Sequence, residues 1–180
     1  MIKGVFLVGS LREKSYNKLL AEHIIEHFSD KIEFEILDID LPLYNEDLDL
    51  DGKRPEKVEQ FNKKVSDADV VFMSTPEYNH ALSGVLKNAI DWASRTQPGL
   101  AEKPGLIMTA SLGATAGARA YNSLLQILDT MGMRLLPGND IMVGAVHEKF
   151  DENGKLHDAS TISFIELVMD KFMEYYEQVK

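Results

Sequence analysis

The chain has 180 residues, 44% hydrophobic and 27% charged, which suits one globular domain over residues 1–180 and argues against a disordered or fibrous architecture. Its 19 Lys+Arg against 29 Asp+Glu give a net charge of -10 with no basic stripe, a poor match to nucleic-acid phosphates or anionic lipid. There is no cysteine, so disulfides, iron–sulfur clusters, thiolate zinc sites and thiol nucleophiles are excluded together, and redox chemistry would have to be borrowed from a cofactor.

Ile2–Val8 is a short apolar run ending at Gly9-Ser10, the pattern of a buried strand entering a loop. Leu20, Ala21, Ile24, Ile25 and Phe28 recur with helical spacing, which predicts a helix from about Ser15 to Phe28 with Ser15 as its cap. Ile32–Leu37 alternates Ile32, Phe34 and Ile36 with Glu33 and Glu35, as a strand near the sheet edge would. A long polar loop, Asp38–Arg54, precedes Pro55, which is well placed to start a helix through about Ser66.

Asp69–Thr75 reads as a strand buried on both faces, followed by the loop Pro76–Leu82 and a helix from Ser83 to Arg95. Gly105–Ala110 is the next strand and Ala114–Met131 the next helix. Leu135–Val143 is a strand-bearing segment interrupted by Pro137 and Gly138, and Ser160–Gln178 is the final helix. Strands and helices alternate, which predicts a doubly wound, five-stranded parallel sheet of order 2-1-3-4-5 with helices on both faces. Ligands in such sheets bind beyond the carboxyl ends of the strands, at the switch point between strands 1 and 3. The apolar runs Val5–Val8 and Val70–Met73 are too short to span a bilayer, and the start lacks a secretory h-region, so a cytoplasmic location is expected.

The loop Gly9–Asn17 joins the first strand to the first helix, where free backbone N–H groups and the positive helix end attract an anion. Ser10 and Ser15 add hydroxyls, Asn17 an amide and Arg12 a guanidinium able to make forked bonds to phosphate oxygens. The loop has neither Gly-x-Gly-x-x-Gly nor a Gly-Lys-Ser/Thr ending, which favours a mononucleotide phosphate over NAD or ATP.

Gly9-Ser10-Leu11-Arg12 with Ser15 and Asn17, and Pro76-Glu77-Tyr78-Asn79 followed by Ser83 through Trp92, resemble the NADPH-dependent FMN reductase family, a flavodoxin-like group that includes azo, quinone and chromate reductases. Weaker likeness continues through Ser111–Arg119, Leu135–Pro137 and Phe150–Leu156. The resemblance implies that Ser10, Arg12, Ser15 and Asn17 hold an FMN phosphate, and that Pro76, Glu77, Tyr78 and Asn79 lie beside the isoalloxazine ring. Ser111, Gly113 and Gly117 would form a third loop, in which Ala114 stands where the family commonly has glycine.

The implied activity is an NAD(P)H oxidoreductase whose chemistry is carried by FMN and not by a catalytic side chain. Hydride would pass from NADPH or NADH to FMN N5 and electrons then to a small acceptor: a quinone, azo compound, free flavin or metal oxyanion. The alternative is a flavodoxin-type FMN carrier with a protein partner. A receiver-like signalling domain shares the topology, but Val8-Gly9-Ser10 offers no acidic cluster. The resemblance also implies a homodimer or homotetramer, with Asp91, Trp92 and Arg95 at a contact.

Three other signals are read as ordinary surface. His23-Ile24-Ile25-Glu26-His27 matches a zinc-peptidase spacing, but no third ligand is evident and both histidines are expected at the surface, with no metal bound. His80 is expected to face solvent, and the acidic run Glu46–Asp51, which lacks EF-hand spacing, to be a solvated loop.

Overall fold

The computed structural model describes residues 1–50 and 53–180. Its elements are β1 (Ile2–Val8), α1 (Tyr16–His27), β2 (Ile32–Ile36), α2 (Glu56–Asp67), β3 (Val70–Thr75), α3 (Gly84–Ala93), β4 (Pro104–Ala110), α4 (Ala118–Thr130), β5 (Arg134–Leu135), β6 (Ile141–Val143) and α5 (Ala159–Val179). The sheet runs β2-β1-β3-β4-β5, with β6 also on β4, and every pairing is parallel. This is the expected flavodoxin-like order.

Alternation along the central strands supplies two apolar faces. Val5, Leu7, Val71, Met73 and Ile107 pack on α2, α3 and α4; Phe6, Val8, Phe72, Leu106 and Met108 pack on α1 and α5. Phe6, Phe34, Phe72 and Phe172 form a chain of tilted and edge-to-face rings through the second layer. The acidic residues of β2 are out of this core because β2 is the edge.

Two boundaries differ from the sequence reading. The fourth helix begins at Ala118 and not at Ala114, because Ala116 and Gly117 take left-handed φ of 54° and 79°. A side chain at 117 would put its Cβ 3.0 Å from that of Thr109, so glycine is required there on two grounds. The fifth strand is two short strands, since Pro137-Gly138 lifts the chain off β4 between Leu135 and Ile141. The Tyr121 hydroxyl donates to Asp140 across this break.

In the acidic run, Glu46, Asp47 and Leu50 are exposed as expected of a solvated loop, but the loop after β2 is tied to α3 at several points. Asn88 of α3 accepts from Tyr44 N–H at 2.8 Å and donates to the carbonyls of Leu41 and Pro42, while Trp92 Nε1–H donates to Pro42 O at 2.8 Å. Arg95 and Arg54 both grip the Asp49 carboxylate, and these bonds, Arg95 foremost, hold its pKa below the ordinary carboxylate value against the opposing effect of burial. Asp51 and Gly52, the end of that segment, lie outside the described residues.

Asn88 and Trp92 of α3 and Arg95 just beyond its end therefore bind this strap. Trp92 is fully buried, which corrects its expected place at a subunit contact. Arg95, also expected at that contact, turns to Asp49, while Lys87 pairs with Asp91.

Candidate functional site

The loops that follow β1, β3 and β4 meet at the carboxyl edge of the sheet, where the chain reverses its winding direction between β1 and β3. They enclose a cleft of about 560 Å3. Ser10, Arg12, Ser15 and Asn17 line it from the first loop, Pro76, Glu77 and Tyr78 from the second, and Ser111 from the third. Asn79 and Gly113, also expected there, are outside the lining.

The first loop leaves β1 at Gly9, whose N–H donates to Ser74 O at 2.7 Å. An added Cβ at Gly9 would come within 2.8 Å of Ser83 Oγ, so only glycine lets the loop pass this close to β3 and the start of α3. Ser15 occupies the N-cap position of α1 but its side chain makes no capping bond, contrary to expectation. It is 2% exposed as a residue and lines the cleft, and its hydroxyl, open to the cleft at a helix N-terminus, makes no protein bond among the described residues. The first N–H groups of α1 lie beside it. Arg12 is exposed, with its guanidinium carbon 5.9 Å from the centroid of the Tyr16 ring, and carries no ion pair among the described residues.

Asn17, expected as an amide donor to phosphate, lines the cleft and also bonds within the protein. It is 3% exposed, its Nδ2–H donates to Ala110 O and its Oδ1 accepts from Ala110 N–H, both at 3.1 Å. Each side of the side-chain amide makes one bond inside the protein.

In the second loop, Tyr78 N–H and Ala81 N–H exchange bonds with each other's carbonyls at 3.0 and 3.1 Å around Asn79 and His80, both left-handed with φ of 50° and 67°. Such a two-residue turn with positive φ at both centres tolerates Asn and His better than bulkier residues, at a cost in strain. His80 is exposed, as expected.

Glu77 points inward, its side chain 12% exposed. It accepts from Arg119 N–H at 3.0 Å, Ala120 N–H at 3.4 Å and the Arg119 guanidinium at 3.2 Å. Gly117 has no side chain to cap α4, and Glu77 does so from 42 residues away. Burial by itself would raise the Glu77 pKa; the bonds from Arg119 and Ala120 outweigh it and hold the carboxyl below its ordinary value.

The third loop is fixed by Ser111, whose N–H donates to Val143 O, whose carbonyl accepts from Val146 N–H, and whose Oγ accepts from Gly113 N–H. Tyr16, Leu112 and Val146 also line the cleft and were not expected there. Tyr16 sits inside the first motif and could have been found by adjacency; Val146 arrives by a turn 35 residues past Ser111 and carries no local signal.

Outside the cleft, His23 is 8% exposed and not at the surface as expected. Its ring lies 4.0 Å from that of His27, under the loop Asn153–Leu156. Burial, then the neighbouring His27, lower its pKa to about 4, so it is neutral at pH 7.

A profile of the NADPH-dependent FMN reductase family matches residues 2–148. A quinone reductase of Escherichia coli is 36% identical over 184 residues, covering 99% of this chain and 97% of the relative. An NAD(P)H-dependent FMN reductase of Pseudomonas aeruginosa is 40% identical over 160 residues, 87% of this chain and 85% of the relative. Among solved structures, the flavoenzyme NAD(P)H:(acceptor) oxidoreductase FerB from Paracoccus denitrificans superposes with a TM-score of 0.90 at 31% identity, over 99% of both chains. The likeness includes all three loops of the cleft and most of the chain around them, and the protein belongs to the NADPH-dependent FMN reductase family.

Proposed function

We propose that the cleft holds FMN and that the protein is an NAD(P)H-dependent reductase of small oxidised acceptors, quinones foremost. Family membership supports the activity, and one feature of this chain supports the cofactor. Ser15, 2% exposed with its hydroxyl unpaired, stands at the N-terminus of a 12-residue helix and lines the cleft beside Arg12. A hydroxyl that makes no protein bond and faces a cleft is free to donate to a ligand, and a helix N-terminus with an adjacent arginine suits a phosphate.

Ser10, Ser15, Arg12 and the first N–H groups of α1 would hold the phosphate of the cofactor. The turn Pro76–Asn79 and the Ser111–Gly113 loop would flank its ring. When bound, FMN supplies the redox chemistry, accepting hydride from NADPH or NADH and passing electrons to the acceptor. The protein's own work is binding and orientation. The bonds of Glu77 to α4 hold the second and third loops together, and Tyr78 and Leu112, 53% and 63% exposed, leave apolar surface at the mouth where a planar acceptor could stack.

A homodimer or homotetramer belongs to the same reading, with Asp91, paired to Lys87 but 39% exposed, at the contact and Trp92 excluded by its burial. Sedimentation at micromolar concentration checks it. The cofactor assignment is tested by titrating FMN into the stripped protein. One flavin per chain should bind, and Arg12→Ala should weaken it by roughly 1.5–3 kcal/mol, the value of hydrogen bonds to a charged group. Equal affinity in that variant would remove Arg12 from the site.

A further inference from the structure

Asn17 lines the cleft, but the bonds its side chain makes are to the protein. Ala110, its partner across 93 residues, ends β4. Successive N–H groups of an extended strand point to opposite edges, and Ser111 N–H turns to β6, bonding Val143 O at 2.9 Å. The polar groups of Ala110 therefore face the β3 side. There β3 stops at Thr75, so no later strand residue is there to pair with Ala110. The Asn17 amide, offering a donor and an acceptor side by side, stands in for the missing peptide group. Its backbone carbonyl also accepts from Ser74 Oγ–H at 3.2 Å, so one residue in the first turn of α1 is tied to the ends of both β3 and β4.

We propose that Asn17 is a positioning residue for the cofactor. It sets the span between the N-terminus of α1, where the phosphate would be held, and the Ser111 loop opposite, and makes no bond to the phosphate itself. The proposal rests on the FMN reading of the cleft.

Riboflavin, which is FMN without its phosphate, separates the two roles. Both flavins are titrated into the stripped full chain by fluorescence quenching, together with the Arg12→Ala, Asn17→Ala and Asn17→Asp variants. Arg12→Ala should weaken FMN alone. Asn17→Ala should weaken FMN and riboflavin by the same factor, about tenfold for loss of this pair of buried bonds.

A buried carboxyl at position 17 can reproduce both bonds only while it keeps its proton. The riboflavin affinity of Asn17→Asp should therefore recover as the pH is lowered from about 8 to about 5, with the wild type level over that range. Amide hydrogen exchange in the stripped protein should quicken at Ala110 and Ser111 of Asn17→Ala while Leu7 and Ile107 in the sheet centre stay protected.

Loss of FMN affinity with riboflavin binding intact would make Asn17 a phosphate ligand and overturn the proposal. Unchanged affinity for both flavins, or unchanged exchange at Ala110 and Ser111, would overturn it as well. A wild type that bound neither flavin would instead remove the FMN reading, with exchange still reporting on the clip.

Discussion

Replacing Glu77 should loosen two loops of the cleft at once. The carboxylate accepts two backbone N–H groups from the first turn of α4 and one guanidinium N–H, and its side chain is 12% exposed. Losing an N-cap costs about 1 kcal/mol. The ion pair, with Arg119 53% exposed, adds less than about 1 kcal/mol. Leaving N–H groups of α4 without an acceptor accounts for the rest, so Glu77→Ala should destabilise the fold by about 2 kcal/mol at pH 7, or roughly 4–8 °C in Tm for a chain of this size. Urea unfolding followed by circular dichroism reads the difference.

Glu77→Gln keeps an acceptor and loses the charge, so it should lie about midway. Because the folded pKa is depressed below the ordinary 4.5, the stabilising effect of the charge is present above that value and disappears as the pH falls through the folded pKa. The gap between wild type and Glu77→Gln should accordingly narrow as the pH falls below 4.5 and through the folded pKa. A Glu77→Ala protein within about 0.5 kcal/mol of wild type would refute the capping role.

His23, lowered to about 4 from an ordinary 6.5, takes up a proton more readily when unfolded. Wild-type stability should therefore fall as the pH drops from about 6.5 to about 4, by at most about 3 kcal/mol, and His23→Gln should flatten that slope in urea melts at several pH values. Asn62 is 2% exposed with neither its amide N–H nor its carbonyl bonded among the described residues, so Asn62→Leu should raise stability by about 1 kcal/mol, read as a higher Tm. Trp92→Phe removes the bond to Pro42 O and should cost about 1–2 kcal/mol; faster amide exchange at Tyr44 would show the strap loosening with it.

The sheet order and the cleft's address were legible because both depend on local pattern. Consecutive apolar residues at Val70–Met73 mark a central strand, alternation at Ile32–Ile36 marks the edge, and glycine and polar residues gather where β1 hands over to α1. What the sequence concealed was pairing over distance. The partner of Asn17 lies 93 residues on, that of Glu77 42 and that of the Trp92 indole 50 back, and no spacing rule reports such bonds.

His23 looked exposed because its helix shows a polar flank there; the cover comes from the 153–156 loop far along the chain. The start of α4 was misplaced because Ala114 and Ala116 favour helix, whereas the left-handed Ala116-Gly117 pair is held by Thr109 Oγ1 donating to Ala116 O at 2.6 Å. Ser10, Arg12 and Ser15, three of the four residues expected at a phosphate, line the cleft, although Ser15 makes no cap bond. The fourth, Asn17, had the right chemistry for a donor but had already been claimed by the ladder.

The central claim is most directly tested by adding FMN to the purified protein, removing the excess, and recording the visible spectrum anaerobically before and after NADPH and, separately, NADH. The account predicts flavin bands that remain with the protein and bleach within seconds of adding at least one of the two nucleotides. Flavin that stays bound but is bleached by neither would point to an electron carrier served by a protein partner, and a protein that retains no flavin would contradict the account.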